Sequence, residues 1–306
     1  MDHPAPLEDP LTLLQRYELW PRKSLGQNFL VDPSAPDKIA VCAGITSADT
    51  VLEVGAGLGT LTAALSRRAR RVIAVETDPQ LVDILHTELQ AYANVEIVHA
   101  DILEIDPATL LAGAGGDLVA GSDRNVHGAK QELWGPRLPH YHVVGNLPYY
   151  ITNAVMRHLL EAAVRPARMV VTVQLEVARR MVAVPDDMSL LAVSIQFYGA
   201  ARICLRLKRG AFHPVPQVDS AVVRVDLYDT PPVEVGDVEC FFRIVKAGFA
   251  QRRKQLRNSL SATLSLDAPT IGESLEAAGI DPRRRAETLA LNEWGRVYAV
   301  LAPLML

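Results

Sequence analysis

Cysteine is scarce in this chain: Cys42, Cys204 and Cys240 are the only three in 306 residues. An odd number so widely spaced offers neither a disulfide framework nor a CxxC zinc half-site, and suits reducing conditions. Long apolar runs are missing too. None approaches the ~18 residues that span a bilayer, and the start Met1-Asp2-His3-Pro4 lacks the basic and apolar regions of a signal peptide. A cytoplasmic protein with no membrane partner is expected. Nor is either charge in large excess: the formal net charge is -4, so any surface for nucleic acid has to be local. With 49% hydrophobic and 22% charged residues, disorder is excluded, and the length suggests about two domains.

What is present has a clear order. Residues 1–22 are rich in proline and read as a loosely held arm, with one short helix that Asp9 would cap and Pro10 would open, running through Leu11, Leu14 and Tyr17. Between 50 and 101 the pattern alternates between apolar runs (50–54, 72–75, 95–98) and amphipathic ones (60–67, 79–91), the signature of a parallel α/β sheet. Val143 and Val144, then 169–173, supply two more buried strands around a helical stretch at 152–163. Residues 203–207 and 221–227 predict a closing antiparallel pair. Residues 112–140 are interrupted by Gly113, Gly115, Gly116, Gly121, Gly128 and Gly135 and read as a long, mobile surface insertion. From Asp237 the period becomes 3.6, which predicts a helical domain over 231–306 after a larger one over 23–230. Phe241, Val245, Phe249, Leu256 and Leu260 share one stripe. Opposite it, Arg243, Lys246, Arg252, Arg253, Lys254 and Arg257 form a face with no acid, suited to phosphates as well as to water.

The segment from Val51 to Thr60 is a buried strand entering a glycine-rich turn and a helix, with the pattern Glu53-Val-Gly55-Ala-Gly57-Leu-Gly59. A nicotinamide fingerprint would need a third glycine at Thr60 or Thr62, and a P-loop would need Gly-Lys-Ser/Thr. Neither fits. Glycines here let backbone pass close to a ligand at the strand ends, where a helix amino terminus also points. The next strand stops at Glu76, where a carboxylate can accept both hydroxyls of a ribose. The one after stops at Asp101, which can accept from an adenine amino group while Ile102 covers the ring. Singly, each acid is more often a helix cap or a solvated turn residue. In order at successive strand ends, they describe S-adenosylmethionine, which has ribose and adenine but no pyrophosphate.

Val143-Val-Gly145-Asn146-Leu147-Pro148-Tyr149-Tyr150 is the most specific motif. The adenine amino nitrogen is a poor nucleophile because its lone pair is delocalised. An Asn146 side-chain oxygen and a Leu147 carbonyl, both accepting from that amino group, would favour a pyramidal nitrogen with its lone pair aimed at a methyl. Pro148 stiffens the turn, and Tyr149 offers a face for an extruded base. Phe212, at the head of the proline-spaced loop 212–220, could close the other face or serve as a core residue. His213 has no partner at metal-ligand spacing, nothing resembles a Ser/His/Asp triad, and no metal is expected.

Lys23-Ser-Leu-Gly-Gln-Asn28-Phe-Leu30, the glycine turn, Asn146-Leu-Pro-Tyr149 and the 212–220 loop together resemble the small-subunit rRNA adenine dimethyltransferases, the KsgA/RsmA family. The resemblance covers about residues 20–301. It implies a Rossmann-like S-adenosylmethionine-dependent methyltransferase domain followed by a small all-α domain. The implied substrate is a pair of adjacent adenosines in a hairpin loop near the 3′ end of 16S rRNA in an assembling 30S particle, and the expected enzyme is monomeric. Carried over by position, the family's cofactor contacts fall on Asn28, Leu30, Gly55, Glu76, Asp101 and Asn146. A 23S rRNA methylase of the macrolide-resistance type and a non-catalytic RNA-binding factor on the same fold are the alternatives. Two stretches depart from the family: the long 112–140 segment, and residues 186–191, where relatives commonly carry Tyr-Gly-x-Leu-Ser.

Overall fold

A computed structural model describes residues 4, 7–22, 25–113 and 140–305. The expected insertion at 112–140 therefore lies almost wholly outside the described residues. The chain divides into two compact units, Met1–Ala178 with Arg202–Asp229, and Arg179–Ala201 with Thr230–Leu306.

In chain order the first unit holds α1 (Pro10–Arg16), β1 (Phe29–Leu30), α2 (Ala35–Ala43), β2 (Thr50–Val54), α3 (Thr60–Ser66), β3 (Arg71–Glu76), α4 (Pro79–Glu88), β4 (Val95–His99), α5 (Pro107–Ala112), β5 (Tyr141–Asn146), α6 (Thr152–Leu160) and β6 (Arg168–Gln174). The chain then passes through α7 (Leu175–Met181) and α8 (Leu190–Tyr198) to β7 (Gly199–Leu207), β8 (Phe212–His213) and β9 (Ser220–Leu227). The main sheet runs β4-β3-β2-β5-β6-β9-β7. Neighbours from β4 to β6 are parallel, and β9 lies antiparallel to β6. All five residues of β2 are buried, as a central parallel strand covered on both faces requires. Strand order reverses between β2 and β5, and the crevice at their carboxyl ends is where open sheets of this kind bind ligands. Gly145 permits the close approach of these strands: a Cβ there would stand 2.7 Å from the Val54 carbonyl oxygen.

Two expectations change here. Residues 10–17 of the amino-terminal segment are packed. Asp9 does cap α1, accepting from Leu11 N–H at 2.9 Å, but the buried residues are Pro10, Leu13 and Leu14, the two leucines packed with Phe29, Leu58, Leu81 and Ile84. Leu11 stays exposed. Arg16 and Tyr17 both reach the Glu88 carboxylate. Cysteine spacing also misled: Cys42 of α2 and Cys204 of β7 form a disulfide, with their Cα atoms 6.2 Å apart across 162 residues of sequence. Folding brings a helix end beside an edge strand, which spacing alone cannot reveal. Cys240 is free and buried. The last turn of α2 is also held by guanidiniums from β6 and β9: Arg168 donates to the Ala43 carbonyl at 2.6 Å and Arg224 to that of Cys42 at 3.1 Å, satisfying carbonyls that a helix end leaves free.

The second unit is helical, with α9 (Val238–Phe249), α10 (Leu256–Leu264), α11 (Ala268–Ala277) and α12 (Leu291–Leu301). It also takes in α8, where a boundary at 231 would not have put it. The reason is aromatic: Phe197 of α8 stacks on Phe241 at 5.0 Å and meets Phe242 edge-on at 5.2 Å, geometries that add to simple burial. Ser189 caps α8 by accepting from Ala192 N–H, so the unusual 186–191 stretch, which begins with Asp186 at φ +85°, ends as a capped helix start. No helix among the described residues is long and apolar enough to cross a membrane.

Candidate functional site

A cavity opens at the carboxyl ends of β2, β3 and β5, walled by the β2 glycine turn, by Glu76, Asp101 and Ile102, by residues 25–29, and by 146–151. Gly57 sits at φ +59°, which turns its N–H onto the Glu76 carboxylate at 2.9 Å. The other Glu76 oxygen accepts from the N–H groups of Thr77 at 2.9 Å and Asp78 at 3.0 Å. Burial pushes the Glu76 pKa up, and these three donors oppose it. A carboxylate offers about four acceptor sites. Three are taken by protein donors, and the carboxylate keeps acceptor capacity toward the cavity. Asp101 uses one oxygen to accept from Leu103 N–H at 2.9 Å, so the cap reading and the ligand reading of that acid are compatible.

At the end of β5 the Asn146 amide is oriented. Its Nδ2 donates to the Asn28 carbonyl at 2.9 Å, and Oδ1 has no protein donor among the described residues. Asn28 in turn donates its own Nδ2 to the Gly26 carbonyl. Leu147 is buried and lines the wall, while the Pro148 carbonyl accepts from Ile151 N–H at the entry to α6. Tyr149 is half-buried. Its hydroxyl lies 2.8 Å from Ser220 Oγ, which fixes the ring, and burial raises its pKa.

Residues 25–29 are also fastened at their base. Gln27 donates to Asp78 at 2.9 Å, Arg22 pairs with the same carboxylate at 3.2 Å, and Gln27 accepts from Arg22 N–H at 2.8 Å. Asp78 caps α4 as well. Nothing in the sequence marked this fastening, because Arg22, Gln27 and Asp78 form no local pattern.

Two expected site residues are not brought to the cavity wall. Phe212 is 1% exposed and packs in the core with Leu30, Ile39 and Leu65. Leu30 is its antiparallel partner in the β1–β8 pair, and it too turns inward. Phe29, the alternate residue of β1, lines the cavity instead, as the period of two along a strand demands. Phe212 therefore supports the segment that carries Asn28 and presents no face to the cavity. Glu53 was read only as part of the glycine pattern. It is fully buried beneath the turn, and among the described residues neither carboxylate oxygen has a hydrogen-bond partner. Burial above all, with the Glu76 charge adding, pushes its pKa up to about 8.

The basic stretch of the second unit is not one continuous helix. It breaks after α9, where Ser259 Oγ donates to the Ala247 carbonyl at 2.7 Å and accepts from Gln251 N–H. Arg243 and Lys246 are exposed on α9, and Arg252, Arg253 and Lys254 are exposed in the turn that follows. Arg257 departs from the set: it is half-buried, with a Nε that has no partner among the described residues, and its side chain lies against Gly272 of α11. Among the described residues no cluster of three His, Cys, Asp or Glu is placed to hold a metal.

The cavity fits S-adenosylmethionine. Backbone passes close at the glycine turn, an acid with an acceptor site to spare ends β3, and an acid with an apolar neighbour follows β4. Sheet order and site together define a Rossmann-like methyltransferase of the S-adenosylmethionine-dependent class. Residues 20–302 match the family described as ribosomal RNA adenine dimethylase, and the chain belongs to that family. It is 42% identical over 295 residues to the ribosomal RNA small subunit methyltransferase A of Dehalococcoides mccartyi, covering 96% of this chain and 93% of that one. It is 42% identical to the protein of the same name from Moorella thermoacetica, covering 98% and 99%. Among solved structures, the 23S rRNA methyltransferase ErmE aligns with a TM-score of 0.67 at 28% identity, covering 90% of this chain and all of that one. A dimethyladenosine transferase from Plasmodium falciparum aligns at 0.70 and 20% identity, covering 89% and 96%, and shares the fold.

Proposed function

We propose that this protein methylates N6 of two adjacent adenosines in a hairpin loop near the 3′ end of 16S rRNA, giving N6,N6-dimethyladenosines. It acts on the 30S particle, in the cytoplasm, as a monomer. The curated relatives named small subunit methyltransferase A favour this substrate over 23S rRNA. The observation that carries the chemistry is the Asn146 amide, whose Nδ2 is committed to the Asn28 carbonyl so that Oδ1 remains an acceptor.

S-adenosylmethionine, when bound, supplies a methyl group on a sulfonium sulfur. Glu76, Asp101, Gly55 and the backbone around Asn28 hold it. Asn146 Oδ1 and the Leu147 carbonyl accept from the adenine amino group as its nitrogen loses planarity, stabilising a geometry that the free base disfavours. Pro148 and the tethered Tyr149 ring limit where the base can lie. Positioning does most of the work. Arg243, Lys246, Arg252, Arg253 and Lys254 grip phosphates of the particle.

Replacing Asn146 with Ala tests the mechanism. Single-turnover methylation of undermethylated 30S particles is expected to fall far more than particle binding, because the lost acceptor matters most in the transition state. Methylation at the parent rate would show that the amide is not the acceptor.

A further inference from the structure

We infer that the outer edge of the sheet, strand β7 and the turn after it, is a second phosphate-binding track that guides substrate RNA toward the cavity. This rests on the rRNA reading above. In residues 199–213 there are four basic side chains, Arg202, Arg206, Lys208 and Arg209, and no acid, although the whole chain is net acidic. All four are exposed. Among the described residues, no ion pair occupies any of their side chains. Strand β7 is the last of the sheet, and among the described residues no further strand pairs with its outer edge.

The track leads to the site. Arg209 N–H donates to Asp219 at 2.9 Å. Ser220 follows, pairs with Gln174 at the carboxyl end of β6, and holds the hydroxyl of Tyr149 on the cavity wall. The turn after β7 is thus joined to Tyr149 through two hydrogen bonds and the Asp219–Ser220 peptide. Clustered, unpaired cations beside an opening that takes a base are what a polyanion with one extruded nucleotide complements, through counterion release. Basic residues on a sheet edge can also serve only to block pairing with another chain, and the two roles differ in their salt dependence.

The test uses the full chain, S-adenosylmethionine and undermethylated 30S particles. The triple variant Arg202→Gln, Arg206→Gln, Lys208→Gln is compared with the parent and with a charge-keeping Arg202→Lys, Arg206→Lys variant. The triple variant should raise KM for particles by on the order of tenfold and lower the log–log salt slope by about two, as expected for three lost phosphate contacts on a single strand. Maximal rate, cofactor affinity and thermal midpoint should stay at parent values, and the lysine variant should match the parent. Should the triple variant prove unstable, Arg206→Gln and Lys208→Gln singly should each lower the slope by less than one. An active parent whose glutamine variants keep its KM and slope would overturn the track alone, leaving edge protection. A parent that transfers no methyl to 30S particles would overturn the rRNA reading and the track with it.

Discussion

Glu76 shows how one side chain organises the site before any ligand arrives. Three N–H groups, from Gly57, Thr77 and Asp78, converge on its carboxylate, so it shapes the glycine turn as well as offering an acceptor. Replacing it with Ala should weaken S-adenosylmethionine binding by roughly 1.5–3 kcal/mol, the worth of a charged hydrogen bond. Calorimetry on the folded variant measures this, and unchanged affinity would place the ribose elsewhere. Glu53 behaves differently. Its folded pKa lies near 8, against about 4.5 for an ordinary glutamate, so across that window the folded chain keeps a proton that the unfolded chain releases. Stability contributed by this group therefore falls as pH rises from about 4.5 to 8. Glu53→Gln should flatten the decline of the denaturation midpoint over that range, and an unaltered profile would show that Glu53 is already ionised. The glycines, Glu76, Asp101 and Asn146 were legible because they end apolar strands in succession. The burial of Glu53 was not, since a strand pattern does not say how deeply the glycine turn covers it. Phe212 was misplaced because an aromatic beside a proline-rich loop fits a base platform and a core equally well, and only its pairing with Leu30 decides.

At the scale of elements, the parallel strands announced themselves as apolar runs, the central ones because they are buried on both faces, and β2 to β6 lie within a few residues of their expected limits. Short elements held by distant partners were hidden. Strands β1 and β8 have two residues each and exist only through each other. The break between α9 and α10 depends on Ser259, twelve residues beyond the Ala247 carbonyl it binds. That break gathers Arg252, Arg253 and Lys254 in one exposed turn. Changing these three together to Gln should weaken 30S binding and flatten its salt dependence while leaving cofactor affinity alone. Salt titrations of parent and variant decide it. Equal slopes would mean that the turn is merely solvated.

The whole molecule joins a methyltransferase sheet to a helical unit whose basic turn carries charge that the chain as a whole lacks. Family membership accounts for adenine dimethylation as a class of reaction, while the choice of 30S substrate and of two adjacent adenosines is the central claim. The direct measurement is methyl transfer from labelled S-adenosylmethionine to undermethylated 30S particles, to 50S particles and to free 16S rRNA, with digestion of the product to nucleosides. Label confined to the 30S reaction, recovered as N6,N6-dimethyladenosine at two neighbouring positions near the 3′ end, is the expected result. Label in 50S particles, or none in 30S particles, would contradict it.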